Sequence, residues 1–203
     1  TNGPTLSSLI QEDAKQYGMA IKTLRRAADD IARERIPLAL FRGFSVTVDR
    51  IAAVARRQAR RFEAQGTRLS IVAVDYLQLI APEKVQRGGN VNDIVSEQSR
   101  ALKLLAKELD VPVILLSQLN RECEKRQDKR PMLSDLRGSG AIEQDASTVT
   151  MVYRDAVYDK SADPHAAELL VVKNRDGECG TAAVRFDGRG QRFYDPSLDE
   201  IRL

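Results

Sequence analysis

Residues 69–79, Leu-Ser-Ile-Val-Ala-Val-Asp-Tyr-Leu-Gln-Leu, form an apolar run that carries a single carboxylate, that of Asp75. A continuous apolar run of this length is typical of a strand buried in a parallel sheet. Because α/β sheets bind ligands at the carboxyl ends of their strands, Asp75 is placed to hold a Mg²⁺-bound water beside nucleotide phosphates. An aspartate that only caps the turn after a strand is the competing interpretation.

The composition limits the class of protein. The chain has 203 residues, of which 42% are hydrophobic and 30% are charged, enough for one well-buried domain and hardly for two. No apolar run approaches the length of a membrane span, and the N-terminus lacks the charged and apolar regions of a secretory signal. We therefore expect a cytoplasmic protein without a membrane partner. The net charge of +3 is too small to indicate an anionic partner by itself.

Histidine and cysteine are scarce, which restricts metal and nucleophile chemistry. Cys123 and Cys179 lie far apart and outside any C-x-x-C pair, and His165 is the only histidine. These residues support neither a zinc site nor a histidine-based triad, and we expect both cysteines to be free thiols.

A second apolar run covers residues 111–118 and ends in Gln118. Between the two runs the sequence predicts a Gly-rich loop from Pro82 to Asn92 and a helix from Asp93 to Leu109, which is typical of a βαβ unit. A right-handed crossover puts Gln118 at the same sheet edge as Asp75, where its amide can contact a γ-phosphate or the attacking water. A polar residue that merely opens a surface loop is the alternative.

Two amphipathic helices are predicted before this unit. Apolar residues recur at helical spacing from Ile10 to Ile31, and a second helix is predicted from Val48 to Gln65 with Thr47 as N-cap and Gly66 as terminator. Residues 38–41 between them are predicted as a short strand. One face of the second helix is basic, which usually indicates a solvated surface and less often a nucleic-acid contact. That face carries Arg56, Arg57, Arg60 and Arg61.

Two polar loops downstream of Gln118 are rich in cations or small residues. Residues 121–130 contain five Lys or Arg, and residues 134–140 read Ser-Asp-Leu-Arg-Gly-Ser-Gly. Lys and Arg attract phosphates in a salt-sensitive way, while small residues let backbone N–H groups approach a sugar-phosphate chain. Both loops lack aromatic residues, so we expect backbone tracking with little sequence preference. A disordered charged loop is the competing explanation for residues 121–130.

Short strands are predicted in the final third of the chain, at residues 147–153, 168–173 and 181–186. The last two are joined as a β-hairpin through residues 174–180. Lys173 and Arg175 project to the same face of an extended chain and can hold an anion together, and an arginine from a neighbouring subunit can act as an arginine finger. Cations that discourage pairing at an exposed strand edge are the alternative.

Four motifs carry a resemblance to a known family. They are Val-Asp-Tyr-Leu-Gln-Leu-Ile (74–80), Leu-Ser-Gln-Leu-Asn-Arg (116–121), Arg-Pro-Met-Leu-Ser-Asp-Leu-Arg-Gly-Ser-Gly-Ala-Ile-Glu-Gln-Asp (130–145) and Lys-Asn-Arg-Asp-Gly (173–177). In this order and spacing they closely resemble the DnaB-family replicative helicases, over roughly Leu38 to Tyr194. The resemblance implies an α/β fold, a RecA-like P-loop NTPase core with a mainly parallel central sheet flanked by helices and a C-terminal β-hairpin. We expect one such domain over residues 1–203, with 1–37 a helical lead-in and 38–203 the core.

The resemblance also implies an ATP-dependent DNA helicase that works as a six-membered ring around single-stranded DNA. Asp75 would be the Walker-B carboxylate that holds Mg²⁺, and Gln118 the γ-phosphate sensor. Lys173 and Arg175 would reach the ATP of the adjacent subunit. The DNA-binding loops would contribute Arg87, Gly88, Asn90, Arg121, Arg137, Ser139 and Gly140. Besides single-stranded DNA and the other subunits of a homo-hexamer, the expected partners are a primase and a helicase loader.

Two features depart from the family pattern. Gly138 stands where the family usually has Glu, and no G-x-x-x-x-G-K-[ST] P-loop, nor the catalytic Glu that follows it, occurs in the chain. A P-loop supplies the phosphate cradle, its Lys and a Mg²⁺-binding hydroxyl, so this chain alone should hydrolyse ATP poorly or not at all. We expect the C-terminal portion of a longer helicase. The rivals are a motor-dead paralogue that binds DNA or assembles rings and, less well matched in residues 75–79 and 117–121, a strand-exchange recombinase.

Overall fold

The computed structural model describes residues 37–83, 91–136 and 138–195, together with positions 21, 22, 26, 29 and 197. The predicted helix over residues 10–31 lies outside this part except at four positions, which are helical. Two compact units are present: one is Ala39–Met151 with Leu170–Gly180, and the other is Val152–Leu169 with the described parts of Thr1–Leu38 and Thr181–Leu203. The assignment of residues 1–203 to one domain stays a prediction.

Helix α1 covers Val48–Ala64, as predicted. The Thr47 hydroxyl accepts a hydrogen bond from the backbone N–H of Arg50 at 3.4 Å, and Gly66 adopts a φ of +75° just after the helix. Buried residues line one side of the helix, whereas the four arginines of the basic face are exposed. Arg56 on that face forms a two-point ion pair with Glu108, with distances of 2.6 and 2.7 Å, so the solvated-surface interpretation fits this helix.

The short strand predicted for residues 38–41 is wrong. These residues have no regular secondary structure, and the Leu40 side chain is 81% exposed. A strand needs a neighbour to pair its backbone groups, and among the described residues none pairs with this segment.

The predicted βαβ unit is confirmed. Strand β1 (Val72–Val74) pairs in parallel with strand β2 (Val113–Leu115), and helix α2 (Val91–Leu109) connects them. Leu102 and Leu105 of α2 are buried in the core. Both strands are shorter than the apolar runs that predicted them. In the case of β1, the strand ends before Asp75 and the chain enters a 3₁₀ helix at Leu77–Leu79.

The remaining elements follow the two polar loops. They are helix α3 (Ser139–Asp145) and the strands β3 (Thr148–Tyr153), β4 (Ala166–Asn174), β5 (Gly180–Asp187) and β6 (Arg192–Tyr194). The strand order is β3-β4-β5-β6, so the predicted hairpin strands are neighbours. Strand β6 was not predicted, although the Asp187-Gly188 turn before it is a hairpin signal. Within the described ranges, each helix is too short or too polar to cross a membrane.

Candidate functional site

Asp75 and Gln118 lie just beyond the carboxyl ends of the paired parallel strands. The pairing continues past the strands, since Leu116 N–H donates to the Val74 carbonyl at 3.0 Å. Exposure alternates along both strands, and the exposed positions share the sheet face on which Ala73 and Ile114 are partners. Those positions are Ile71, Ala73, Asp75, Ile114, Leu116 and Gln118. The exposed carboxylate and the exposed amide therefore both follow strand ends at one edge of the sheet.

A side chain that the sequence reasoning missed fastens these two strand ends together. The Gln78 amide donates to the Ser117 hydroxyl at 3.0 Å and to the Gln118 carbonyl at 3.4 Å, while the Gln78 Oε1 accepts from the backbone N–H of Gln118 at 3.2 Å. Gln78 thus fixes the backbone of Gln118 relative to the segment that begins at Asp75. The signal was present in the sequence, because Gln78 is a lone amide within an apolar run.

The surroundings of Asp75 bear on its two interpretations. No hydrogen bond or ion pair engages its carboxylate within the described part of the chain, so the turn-capping contact is not made there. An exposed carboxylate at a strand end suits Mg²⁺, which is usually held by one or two carboxylates, water and substrate phosphates. Among the described residues, no group of three His, Cys, Asp or Glu side chains that could hold a metal ion is found.

The loop after Gln118 has a defined structure, and the disordered-loop explanation for residues 121–130 is wrong. Arg121–Lys125 form a 3₁₀ helix whose first turn is capped by the Asn120 side chain, which accepts from Glu122 N–H at 3.0 Å. Lys125 pairs with Glu122 at 2.7 Å. Arg121 is exposed and makes no ion pair with another described residue.

Asp135 is the buried centre of this loop region, with 3% of its surface exposed. Arg126 donates to both of its carboxylate oxygens, at 2.8 and 2.7 Å, and Met132 N–H donates to it at 2.9 Å. The hydrogen bonds from Arg126 lower the pKa of Asp135 below its ordinary value, and the Met132 amide acts in the same direction. The pair therefore stabilises the folded chain above the ordinary aspartate pKa, and this contribution is lost as the pH falls through the lowered value.

Lys173 and Arg175, at the end of β4, both contact the C-terminal end of α3. The Lys173 ammonium donates to the carbonyls of Glu143 and Ala146, the latter at 2.6 Å. The Arg175 guanidinium donates to the Gln144 carbonyl at 2.8 Å. Cations satisfy the free carbonyls at a helix end, so both side chains anchor α3 in this chain. Arg175 remains exposed beyond that contact.

Comparison with known proteins shows the family of this chain. A model of the DnaB-like helicase C-terminal domain matches residues 8–195. The chain belongs to this family. Two replicative DNA helicases named DnaB are among its relatives: that of Haemophilus influenzae is 48% identical over 68% of this chain, and that of Leifsonia xyli is 51% identical over 69%. The matches cover 29% and 30% of those proteins, so the chain spans less than a third of their length.

Solved structures agree with the DnaB-like assignment. A DnaB-like replicative helicase, described with its interactions with primase, gives a TM-score of 0.75 at 38% identity, covering 91% of this chain and 42% of the other. A second solved structure, an ATPase domain, superposes with a TM-score of 0.68 at 44% identity, covering 74% of this chain and 51% of the other. The α/β, RecA-like fold class and the predicted family are therefore confirmed.

Gly138 has a structural reason to be glycine. It precedes α3 with a φ of +72° and a ψ of 31°, in the left-handed region that favours glycine. A Cβ atom at this position would lie 2.7 Å from the Cγ1 atom of Val95 in α2. By contrast, a Cβ atom on Gly140 would meet nothing within 4 Å. The backbone before α3 is thus tied to the absence of a side chain at residue 138.

We expect Gly138→Ala to destabilise the chain and Gly140→Ala not to. The left-handed conformation costs an L-residue roughly 1–2 kcal/mol, and the contact with Val95 adds to it. Alanine at position 140, within a helix and with open space around it, is expected to stabilise by roughly 0.5–1 kcal/mol. Urea unfolding monitored by circular dichroism gives both free energies. Equal effects of the two substitutions would show that the backbone at residue 138 is not left-handed.

The structure thus places Asp75 and Gln118 beyond the carboxyl ends of β1 and β2, and it places the side chains of Lys173 and Arg175 against the C-terminal end of α3. Of the predicted DNA-loop residues, Arg121 and Gly140 are exposed. The others lie outside the described part: Arg87, Gly88, Asn90 and Arg137, and the side chain of Ser139. Both cysteines are free thiols, Cys123 buried and Cys179 exposed.

Proposed function

We propose that this chain is the ring-forming motor domain of a cytoplasmic, ATP-dependent replicative DNA helicase that unwinds duplex DNA by translocating on single-stranded DNA. One observation carries the proposal. In a DnaB-like chain, the exposed Asp75 and Gln118 share one open sheet edge, and the segment that follows Gln118 leads directly into the loop region of the DNA-binding motif.

The residues at this edge have complementary parts in ATP hydrolysis. Mg²⁺ bound with ATP neutralises charge on the phosphates during phosphoryl transfer, and Asp75 is the residue that would hold it. Gln118 would direct its amide to the γ-phosphate or the attacking water. Lys173 and Arg175 would act on the ATP of the adjacent subunit, where their positive charges oppose the charge that develops in the transition state. The resemblance of the sequence motifs to the DnaB family supports these roles.

The proposed DNA surface combines cations with small residues. Arg121, Arg137 and Arg87 would attract the phosphates, while Gly88, Asn90, Ser139 and Gly140 would let backbone groups come close. A surface of this kind binds the sugar-phosphate backbone and reads little sequence, which suits a motor that must move along any strand.

A longer protein would have to supply the P-loop that is missing from these 203 residues. The chain spans about 30% of the length of the curated relatives, which leaves room for such a segment. The open face of β1 and β2 is a surface it would fit, since Ile71, Ile114 and Leu116 are each about half exposed there. Parallel sheets are normally covered on both faces. In the complete protein we also propose a homo-hexamer, a primase and a helicase loader as partners.

A motor-dead paralogue is the second candidate, and the absence of a P-loop from the 203 residues is the observation that favours it. Such a protein would keep the DNA loops and the α3 contacts of Lys173 and Arg175 while hydrolysing no ATP. Its function would be binding of single-stranded DNA or assembly into rings.

The complete native gene product separates these candidates. We expect its intact mass to exceed the 22.6 kDa of this chain. With ATP and Mg²⁺ it should unwind a forked duplex, and single-stranded DNA should increase its hydrolysis of ATP. The control is the same protein with EDTA, which should show neither activity. Binding of single-stranded DNA without hydrolysis would favour the motor-dead paralogue, and strand exchange without unwinding would favour a recombinase.

A further inference from the structure

The segment between Gln118 and the proposed DNA loop pairs with itself through one β-bridge. Leu119 and Leu136 form an isolated antiparallel bridge, and Asn120 N–H donates to the Asp135 carbonyl at 2.8 Å. Gln118 directly precedes this bridge, and the chain continues into residue 137 directly after it. The proposed γ-phosphate sensor and the proposed DNA loop are therefore each adjacent in sequence to one residue of the Leu119–Leu136 bridge.

Asp135 joins this bridge to the rest of the loop. Its backbone carbonyl accepts from Asn120, while its buried carboxylate accepts two hydrogen bonds from Arg126. Arg126 in turn donates to the Arg130 carbonyl at 2.9 Å. A shift of Asp135 would move both strands of the bridge, because Asp135 directly precedes Leu136 on one side and is hydrogen-bonded to Asn120 on the other.

The pair is built to resist such a shift. Bidentate hydrogen bonds between guanidinium and carboxylate are short, charge-assisted and geometrically specific. Loss of one partner would leave a buried charge without compensation, which is strongly unfavourable. The ion pair of the neighbouring Lys125 differs, since both Lys125 and its partner Glu122 are well exposed and such surface pairs contribute little to stability.

The opposite side of Gln118 is also fixed. Gln78, which lies three residues after the proposed Mg²⁺ ligand Asp75, makes side-chain hydrogen bonds to the backbone of Gln118. Gln118 thus lies between two anchored points, one next to the proposed nucleotide site and one next to the proposed DNA loop.

We propose that Arg126 and Asp135 are a positioning pair that holds the γ-phosphate sensor and the DNA loop as one rigid unit, so that binding of DNA is transmitted to ATP hydrolysis. This proposal rests on the proposed helicase function. In this role each residue acts through the backbone that it holds and is assigned no contact with ATP or DNA. Arg126 is thereby removed from the set of loop cations that bind phosphates, although its charge and sequence position favour such a role.

Substitutions in the complete helicase test the pair. Asp135→Asn keeps the shape of the side chain and removes the charge, and Arg126→Lys keeps the charge and removes the two-pronged geometry. For both we expect the ratio of ATP turnover with DNA to turnover without DNA to fall about tenfold, as for a broken ion-pair network. The dissociation constants for ATP and for single-stranded DNA should change much less. Arg56→Lys is the matched control: it removes the same two-pronged geometry from the exposed ion pair between Arg56 of α1 and Glu108 of α2, and it should leave the ratio unchanged.

If the pair has only a structural role, the variants should lower turnover with and without DNA by the same factor, or should change neither. In both cases the ratio stays intact, and this result overturns the proposal. Hydrogen exchange of the wild-type protein covers the case in which the variants do not fold. Single-stranded DNA alone should change the protection of the Asn120 and Met132 amides, both of which donate to Asp135. Unchanged protection contradicts the pair. A wild-type protein that neither hydrolyses ATP nor binds DNA contradicts the proposed function as well.

Discussion

Arg175→Ala is expected to lower DNA-stimulated ATP hydrolysis by the complete ring by about 10³-fold or more, the range in which arginine fingers act. Binding of ATP should stay nearly unchanged. The reason is that a guanidinium from the adjacent subunit stabilises charge that develops only in the transition state, so its loss affects turnover and hardly affects the ground state. Steady-state turnover and the dissociation constant of a fluorescent ATP analogue measure the two effects separately.

The structure gives Arg175 a second contact, which the experiment has to control. Its guanidinium donates to the Gln144 carbonyl at the end of α3, so alanine also removes a helix-end contact. The side chain is exposed, and the thermal midpoint of the variant should therefore lie close to that of the wild type. Arg189→Ala is the matched control, because Arg189 is an exposed arginine on the turn before β6. It should leave turnover unchanged.

Two outcomes would contradict the finger assignment. Turnover by Arg175→Ala close to that of the wild type would show that the side chain does no more than anchor α3. A loss of turnover accompanied by an equal loss of ATP binding or of ring assembly would indicate a structural role at the subunit contact.

The elements that the sequence predicted well are those with a strong local pattern. Helix α1 has a cap at Thr47, an amphipathic repeat and a terminating glycine, and all three signals agree. The βαβ unit follows from two apolar runs separated by a helix-length segment, for which parallel pairing is the usual solution. The edge shared by Asp75 and Gln118 then follows from topology alone, without knowledge of any side-chain contact.

The contacts that connect the candidate sites were not predictable in this way. Gln78 makes its hydrogen bonds across 39 and 40 residues of sequence, and no local pattern identifies the partner. Arg126 looks like a surface cation in the sequence, and only burial of Asp135 shows that it is used internally. Residues 38–41 have the composition of a strand, but a strand depends on a neighbour that the local sequence does not specify.

Asp75→Asn is expected to reduce Mg²⁺-dependent turnover by the complete protein by about 10²–10³-fold, since charge stabilisation by a metal contributes several kcal/mol to the transition state. Folding should be unaffected, because the carboxylate is exposed and makes no hydrogen bond or ion pair within the described part of the chain. Titration with Mg²⁺ at saturating ATP should show a weakened metal dependence. Full activity would mean that the strand-end carboxylate does not hold the metal.

Asp110→Asn is the matched control for that loss. Asp110 is also an exposed aspartate next to the sheet, but it precedes β2 and so lies at the amino end of the strands, away from the proposed site. Its φ of +51° suits asparagine, so the substitution should neither unfold the protein nor slow it.

Mixing the Asp75→Asn and Arg175→Ala proteins tests both roles in one experiment. Each variant alone lacks one half of every active site, but in a head-to-tail ring of randomly mixed subunits about a quarter of the interfaces pair an intact Asp75 with an intact Arg175. If the two residues serve the same ATP from different subunits, turnover should rise on mixing well above that of either variant alone. If they acted within one subunit, each mixed subunit would still lack one of them, and mixing would restore nothing.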